Sequence, residues 1–164
     1  MQKTKEIPMK QSMIVLSLAL LVNCVEVDIS SADGDFKAEY QKAICDKYSM
    51  YANTMDVVGS LSLYAEDAIV NGNGLAPIQG LDKIKQDFID WYGSSESINH
   101  SAEVISAQLF GDRAFAYGKW KVKRTSKEGV TTEREGHWST HNIKVGGSWK
   151  MTLDHTNDLK NYNQ

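Results

Sequence analysis

The strongest candidate for proton chemistry is Asp154, which closes the run Trp149-Lys-Met-Thr-Leu-Asp154. The segment Trp149–Asn157 reads as a strand, and the Trp, Met and Leu before Asp154 make that strand a buried one. A carboxylate in such a strand is costly unless it is paired or hydrogen-bonded. Lys119 or a histidine could pair with it. With a histidine, for which His137 is the candidate, Asp154 would form a general acid/base couple, because an imidazole titrates near neutral pH. The same contact would serve equally as a structural ion pair between two strands. Tyr48 adds a hydroxyl that could donate to a ligand oxygen, or that could sit at the rim of a packed helix.

His137 and His141 stand four apart, the right spacing for zinc on a helix. The Gly, Ser and Thr around them favour a strand instead. There, four residues span about 13 Å, too far for one ion. His100 and His155 have no identifiable partner in the sequence. No Ser-His-Asp order, phosphate loop or nucleotide fingerprint occurs, so neither a metal nor a cofactor is called for.

The elements that must position these groups follow from periodicity. Phe36, Tyr40, Ile44, Tyr48 and Tyr51 recur every three or four residues, the face of a helix. Asp56 can cap a short second helix carrying Leu61, Leu63 and Tyr64. Ala68-Ile-Val70 reads as a brief strand that stops at Asn71-Gly-Asn-Gly74, a strong loop signal. Leu81, Ile84, Phe88 and Tyr92 mark a third helix that closes at Gly93. The remainder reads as four strands, Ile98–Phe110, Ala114–Arg124, Val130–Lys144 and Trp149–Asn157, joined by short Gly-containing turns as meander hairpins. Helices first and strands afterwards indicate an α+β fold.

The chain has 164 residues, enough for one domain, with 41% apolar and 24% charged residues. A net charge of −3 gives no basic footprint for nucleic acid. Lys3, Lys5 and Lys10 precede the apolar run Met13–Val22, which is too short for the about 20 residues that span a bilayer. That pattern reads as a secretory signal over residues 1–32, and hence as a secreted or periplasmic domain over 33–158 with a polar tail at 159–164. Cleavage could follow Ser30-Ser31-Ala32. Alternatively, Leu21-Val22-Asn23-Cys24 resembles a lipoprotein box, in which Cys24 would carry a lipid anchor to the membrane. Cys45, in the first helix, reads as a small buried apolar residue.

Three stretches carry a family resemblance. Asn53–Gly80 contains Asp-Val-Val-Gly-Ser-Leu-Ser-Leu-Tyr-Ala-Glu-Asp-Ala-Ile-Val. Pro77-Ile-Gln-Gly-Leu-Asp-Lys-Ile84 leads a glycine into a helix. Glu135-Gly-His-Trp-Ser and Gly146-Gly-Ser-Trp-Lys-Met-Thr-Leu-Asp154 flank the last hairpin. In this order they resemble the SnoaL-like branch of the nuclear-transport-factor-2-like superfamily, over about residues 35–158. The resemblance implies a cone-shaped fold, in which a curved antiparallel sheet packs against three N-terminal helices around a pocket. Relatives include ketosteroid isomerases, polyketide cyclases, limonene epoxide hydrolases and dehydratases, so the fold does not give the reaction.

Site by site, the isomerase comparison is incomplete. Tyr48, eight residues before Asp56, falls at the place of the donor tyrosine. The base position, five residues after Asp67, is Gly72, and the second donor position is Ser139. A glycine cannot take a proton. The Arg-x-Asp pairing of the epoxide hydrolases is also absent.

Turning the Phe115/Tyr117 face toward the pocket, as the family suggests, brings in Lys119. It also brings in His137, Ser139 and His141 on the next strand and Thr152, Asp154 and Thr156 on the last, a set that a one-residue slip would invert. Trp91, Tyr92 and Tyr117 would then stack against an apolar ligand or serve as core aromatics. Trp120, Trp138 and Trp149 would lie on the outer face, suiting the homodimer that is common in the superfamily.

The expectation is thus a pocket for a small apolar or carbonyl-bearing molecule, binding it rather than transforming it. The alternatives are an isomerase, cyclase or lyase using Asp154 with a histidine and Tyr48, or a dimerisation or assembly module.

Overall fold

The computed structural model describes residues 29–72 and 74–159, with side chains from Asp35 onward. Most of the proposed leader, Cys24 included, and most of the proposed tail lie outside the described residues. The first helix, α1 (Ile29–Tyr40), starts four residues before the expected domain boundary at 33. It continues through a π-helical turn (Gln41–Cys45) into α2 (Asp46–Asn53). Phe36, Tyr40, Ile44 and Ala52 form its buried stripe. Asp56 caps α3 (Val57–Leu61), accepting from the Gly59 N–H at 2.9 Å. Helix α4 (Leu81–Gly93) buries Ile84, Phe88 and Tyr92, one face at a spacing of four. It starts from Gly80 at φ 87°, a left-handed conformation that favours glycine.

Six strands make one curved, unclosed sheet: β1 (Tyr64–Gly72), β2 (Ile78–Gln79), β3 (Ser95–Phe110), β4 (Arg113–Ser126), β5 (Thr131–Val145) and β6 (Ser148–Asp158), in the order β2-β1-β6-β5-β4-β3. The fold is α+β, as expected. The sheet is mixed rather than wholly antiparallel, because β1 runs parallel to β6. No hairpin connects those two strands, and α4 with the meander lies between them in sequence.

Strand β3 is an edge, and an edge leaves backbone groups unpaired. Two amide side chains of the first helix supply the missing partners. Gln41 donates from Nε2 to the Ala102 carbonyl (2.9 Å) and accepts at Oε1 from the Val104 N–H (2.8 Å). Asn53 does the same at His100, donating to its carbonyl and accepting from its N–H. Each amide mimics one step of a strand ladder, and so fixes the helix across the concave side of the sheet.

The face assignment of β4 and β5 is the main correction. Ala114, Ala116 and Trp120 on β4 and Trp138, Thr140 and Asn142 on β5 are buried. Tyr117, expected inside, is 40% exposed, and its register partner is Ser139. Lys119 pairs with His137, and Phe115 with His141, on the same outward face. The reason is space. Gly118 lies opposite Trp138 and Gly136 opposite Trp120, so each indole covers a glycine on the neighbouring strand. A Cβ at Gly118 would stand 2.5 Å from the Trp138 ring and 1.9 Å from the Glu103 carbonyl oxygen. Only the face lined by Ala and Gly accommodates two tryptophans under the helices. Trp120 and Trp138 each donate to the other's strand, to the carbonyls of His137 (3.2 Å) and Lys119 (3.0 Å). Trp149, also expected outside, is buried edge-on against Phe36 at 5.4 Å between ring centroids.

On β6 a bulge changes the parity. The register with β5 shifts between His141 and Asn142, so Met151 pairs with Asn142 and Leu153 with His141. Thr152 is the extra residue and donates to the His141 carbonyl at 3.1 Å. Met151 and Asp154, three apart, therefore share the inner face, and Thr152 leaves it.

Candidate functional site

Helices and sheet enclose a cavity of about 390 Å³, a volume suited to a small organic ligand. Burial gives its direction. Ile44, Cys45, Tyr64, Ile84, Phe88 and Met151 form the buried end, and Leu75 (73% exposed), Asp87, Thr132 and Arg134 form the mouth. The walls are mainly apolar and aromatic, with Trp91, Trp120 and Trp138 among them.

Four polar side chains from four elements meet this space. Asp154 (β6) is 8% exposed and accepts a 2.7 Å hydrogen bond at Oδ2 from the Tyr64 hydroxyl (β1). Burial pushes its carboxyl above its ordinary value, and the Tyr64 hydrogen bond and then His155 pull the other way without reversing it. Tyr48 (α2) lies beside Tyr64 and packs on the His100 ring at 5.1 Å. Burial, and then the Asp154 charge, hold both tyrosines well above their usual pKa. His100 (β3) is 8% exposed, with Nδ1 3.1 Å from the Ser49 hydroxyl, and burial lowers it to about 4. It is therefore a neutral imidazole at neutral pH. The set forms a row, Asp154, Tyr64, Tyr48 and His100, of uncharged hydroxyls and imidazole beside one carboxyl group.

A second polar cluster backs the wall. The Tyr40 hydroxyl lies 2.7 Å from Thr140 Oγ1 and donates to Asn142 Oδ1 at 3.0 Å. Asn142 Nδ2 donates in turn to Thr140 Oγ1 at 3.0 Å. Thr140 is the member that lines the cavity. With every partner internal, this cluster positions the helix on the sheet.

Of the residues turned toward a pocket by the sequence reading, Asp154, Thr156, Tyr48 and Trp91 line the cavity. Tyr92 is buried beside it, with its hydroxyl 2.7 Å from Ser60 Oγ. Tyr117, Lys119, His137, Ser139 and His141 lie on the opposite face, and Thr152 on the bulge, so none of them meets Asp154 across the cavity. The histidine that does share the cavity is His100. Gly72, the position of the missing base, lines the cavity too, and a Cβ there would meet Thr156 Oγ1 at 2.6 Å. Sequence reasoning missed Tyr64, His100, Trp120, Trp138, Arg124 and Arg134. The available signal was the small-residue series Ala114, Ala116, Gly118 and Gly136, which marks the crowded side of a curved sheet. Among the described residues, no group of three His, Cys, Asp or Glu side chains could hold a metal ion.

No protein-family model matches the chain, and no curated protein matches it in sequence. Solved structures do match. The chain is similar to a protein from Novosphingobium aromaticivorans provisionally named an aromatic ring hydroxylase, at 22% identity over 74% of this chain and 90% of that one, with a TM-score of 0.67. It is similar to a ketosteroid isomerase-like protein from Erwinia carotovora atroseptica, at 21% identity over 75% and 95%, TM-score 0.63. It is also similar to a protein from Streptomyces avermitilis provisionally named a dehydratase of the nuclear-transport-factor-2-like family, at 13% identity over 77% and 97%, TM-score 0.67. At these identities the likeness is one of backbone rather than of site. The chain has the nuclear-transport-factor-2-like fold.

Proposed function

We propose that this domain binds a small, largely apolar molecule whose polar end meets Asp154, Tyr64, Tyr48 and His100. One observation carries the reading. A cavity of about 390 Å³ with mainly apolar and aromatic walls brings Asp154, Tyr64, Tyr48 and His100 from four elements to one space. A carbonyl or hydroxyl oxygen at that end would receive a hydrogen bond from the Tyr48 hydroxyl, the Tyr64 proton being given to Asp154, and three tryptophans give flat apolar surface for its body. The test is a titration of neutral bicyclic ketones and phenols, followed by tryptophan fluorescence. Saturable binding is expected, and it should disappear in Ala102→Phe, which fills the cavity from β3. Binding that survives Ala102→Phe would place the ligand elsewhere.

A second reading, acid/base catalysis, is favoured by the electrostatics. Burial raises the Asp154 carboxyl and lowers His100, bringing a carboxyl and a neutral imidazole into one water-poor space. Such a pair suits moving a proton next to a carbonyl, as isomerases, cyclases and lyases do. The histidine of this couple is His100 in place of His137. Turnover of a carbonyl compound that is lost in Asp154→Asn, with binding kept, would establish it. Binding and no turnover in the unaltered protein would leave the domain a carrier or sensor.

A further inference from the structure

The cavity mouth carries charge that the binding reading leaves unused. Arg124 and Arg134 both line the cavity, on the inner faces of β4 and β5. Arg124 pairs with Thr132, which puts Arg134 on its diagonal, about 7 Å away between backbones. A guanidinium in a cavity wall is stabilised by an anion beside it.

Arg134 has its anion. Its Nε donates to Asp158 Oδ2 at 2.8 Å, and its guanidinium lies 5.8 Å from the Trp120 ring centroid. Arg124 differs. Its Nε donates to Ser95 Oγ at 2.6 Å, and its Nη2 donates to the Ser94 carbonyl and hydroxyl, both at 2.8 Å. All three acceptors are neutral. Among the described residues, Arg124 forms no ion pair with a carboxylate. Those bonds hold the side chain rigidly across the C-terminal end of α4, where a cation is favoured. They use Nε and Nη2 and leave the two N–H groups of Nη1 for another acceptor.

The other acids nearby do not neutralise it. Asp87, on α4 at the mouth, is influenced by burial and by Asp90. Glu128, fully exposed in the β4–β5 turn, feels Arg124 only weakly, behind its own contacts with Ser126.

We propose that Arg124 anchors a carboxylate of the ligand, so that the molecule bound here is an organic acid with an apolar body. This inference rests on the reading of the cavity as a ligand site. The acid group sits at the mouth on the sheet side, and the body runs inward past Trp120 and Trp138 toward Asp154. The Nη1 nitrogen can give a carboxylate oxygen a charge-assisted hydrogen bond, stronger than one to a neutral acceptor. A phosphate dianion fits less well, because Asp87 shares the mouth.

The test uses a panel of aromatic and alicyclic carboxylic acids, each paired with its own carboxamide, titrated by calorimetry against the whole protein. The two members of a pair share shape and differ in charge. Acids should bind about tenfold or more tightly than their amides, as expected for a hydrogen bond that gains a full charge. In Arg124→Gln that preference should vanish while amide affinity stays within about twofold, and Arg124→Lys should restore part of it. Equal affinity for acid and amide in the unaltered protein overturns the inference and leaves the cavity a ligand site. A preference that persists in Arg124→Gln overturns it as well, by assigning the anion to Arg134. No binding by either member of any pair overturns the cavity reading itself, and this inference with it. The comparison within the unaltered protein decides the matter even if Arg124→Gln fails to fold.

Discussion

Mild acid should destabilise this domain through His100. Burial lowers its imidazole from the ordinary 6.5 to about 4. The folded chain therefore holds His100 neutral while the unfolded chain takes up a proton. The sign follows from which state binds more protons. Above about pH 6.5 both states are neutral and the stability is complete. Between about pH 6.5 and about pH 4 the unfolded state gains protons that the folded state refuses, so stability falls. At about 1.4 kcal/mol per tenfold change in proton affinity, the interval corresponds to about 3 kcal/mol. For a domain of ordinary stability, about 5–15 kcal/mol, that is a large share.

Asp154 works in the opposite direction. Its raised carboxyl makes the folded state the better proton acceptor, so its contribution improves as pH falls. Comparison with His100→Asn removes that opposing contribution. The asparagine amide keeps a polar atom near the Ser49 hydroxyl, which lies 3.1 Å from Nδ1 in the native protein. Urea unfolding at a series of pH values should show the native protein losing about 3 kcal/mol more than the variant over this range. Carbon-13 spectra of the imidazole should show no titration until about pH 4. Parallel pH profiles for the two proteins, or an imidazole that titrates near its ordinary value, would refute the reasoning.

Tyr64→Phe removes the donor to buried Asp154 and should cost about 1–3 kcal/mol, read by urea unfolding. It should also push the Asp154 carboxyl still higher, because the Tyr64 bond lowers it, and the carboxyl carbon shift would report this. Gly118→Ala places a methyl group 1.9 Å from the Glu103 carbonyl oxygen and 2.5 Å from the Trp138 ring. The β3–β4 ladder or the indole must move, at about 1–3 kcal/mol or more, and tryptophan near-ultraviolet dichroism should change with the lower melting temperature. Gln41→Leu leaves the Ala102 carbonyl and the Val104 N–H on the β3 edge without their side-chain partner. It should cost about 1–3 kcal/mol and raise amide exchange at Val104, while exchange at Ala116 in the sheet centre stays slow.

The order of elements was legible because each has a local cause. Ile84, Phe88 and Tyr92 repeat at the helical period, Asp56 is a cap three residues before the N–H it binds, and the strands end at turn glycines. The parallel seat of β1 beside β6 has no such local cause. It joins Val70 to Asp154 across about half of the chain, and only packing of both faces decides it. The candidate site shows the same division. Tyr48 and Trp91 belong to helices, where a buried stripe fixes direction, and both line the cavity. His137 and His141 belong to a strand, where alternation yields two faces and does not say which is inside.

By itself the sequence determined an α+β fold, its helices, its meander of strands and the capping and turn residues that separate them. Those depend on interactions within a few positions of the chain. The tertiary structure alone decided which face of the sheet is concave, that a bulge takes Thr152 off the face that Asp154 keeps, and that Tyr64 and His100 join Asp154 and Tyr48 around one cavity. These depend on the volume available where Ala116, Gly118 and Gly136 let Trp120 and Trp138 pass beneath the helices, and volume is a property of neighbours distant in sequence.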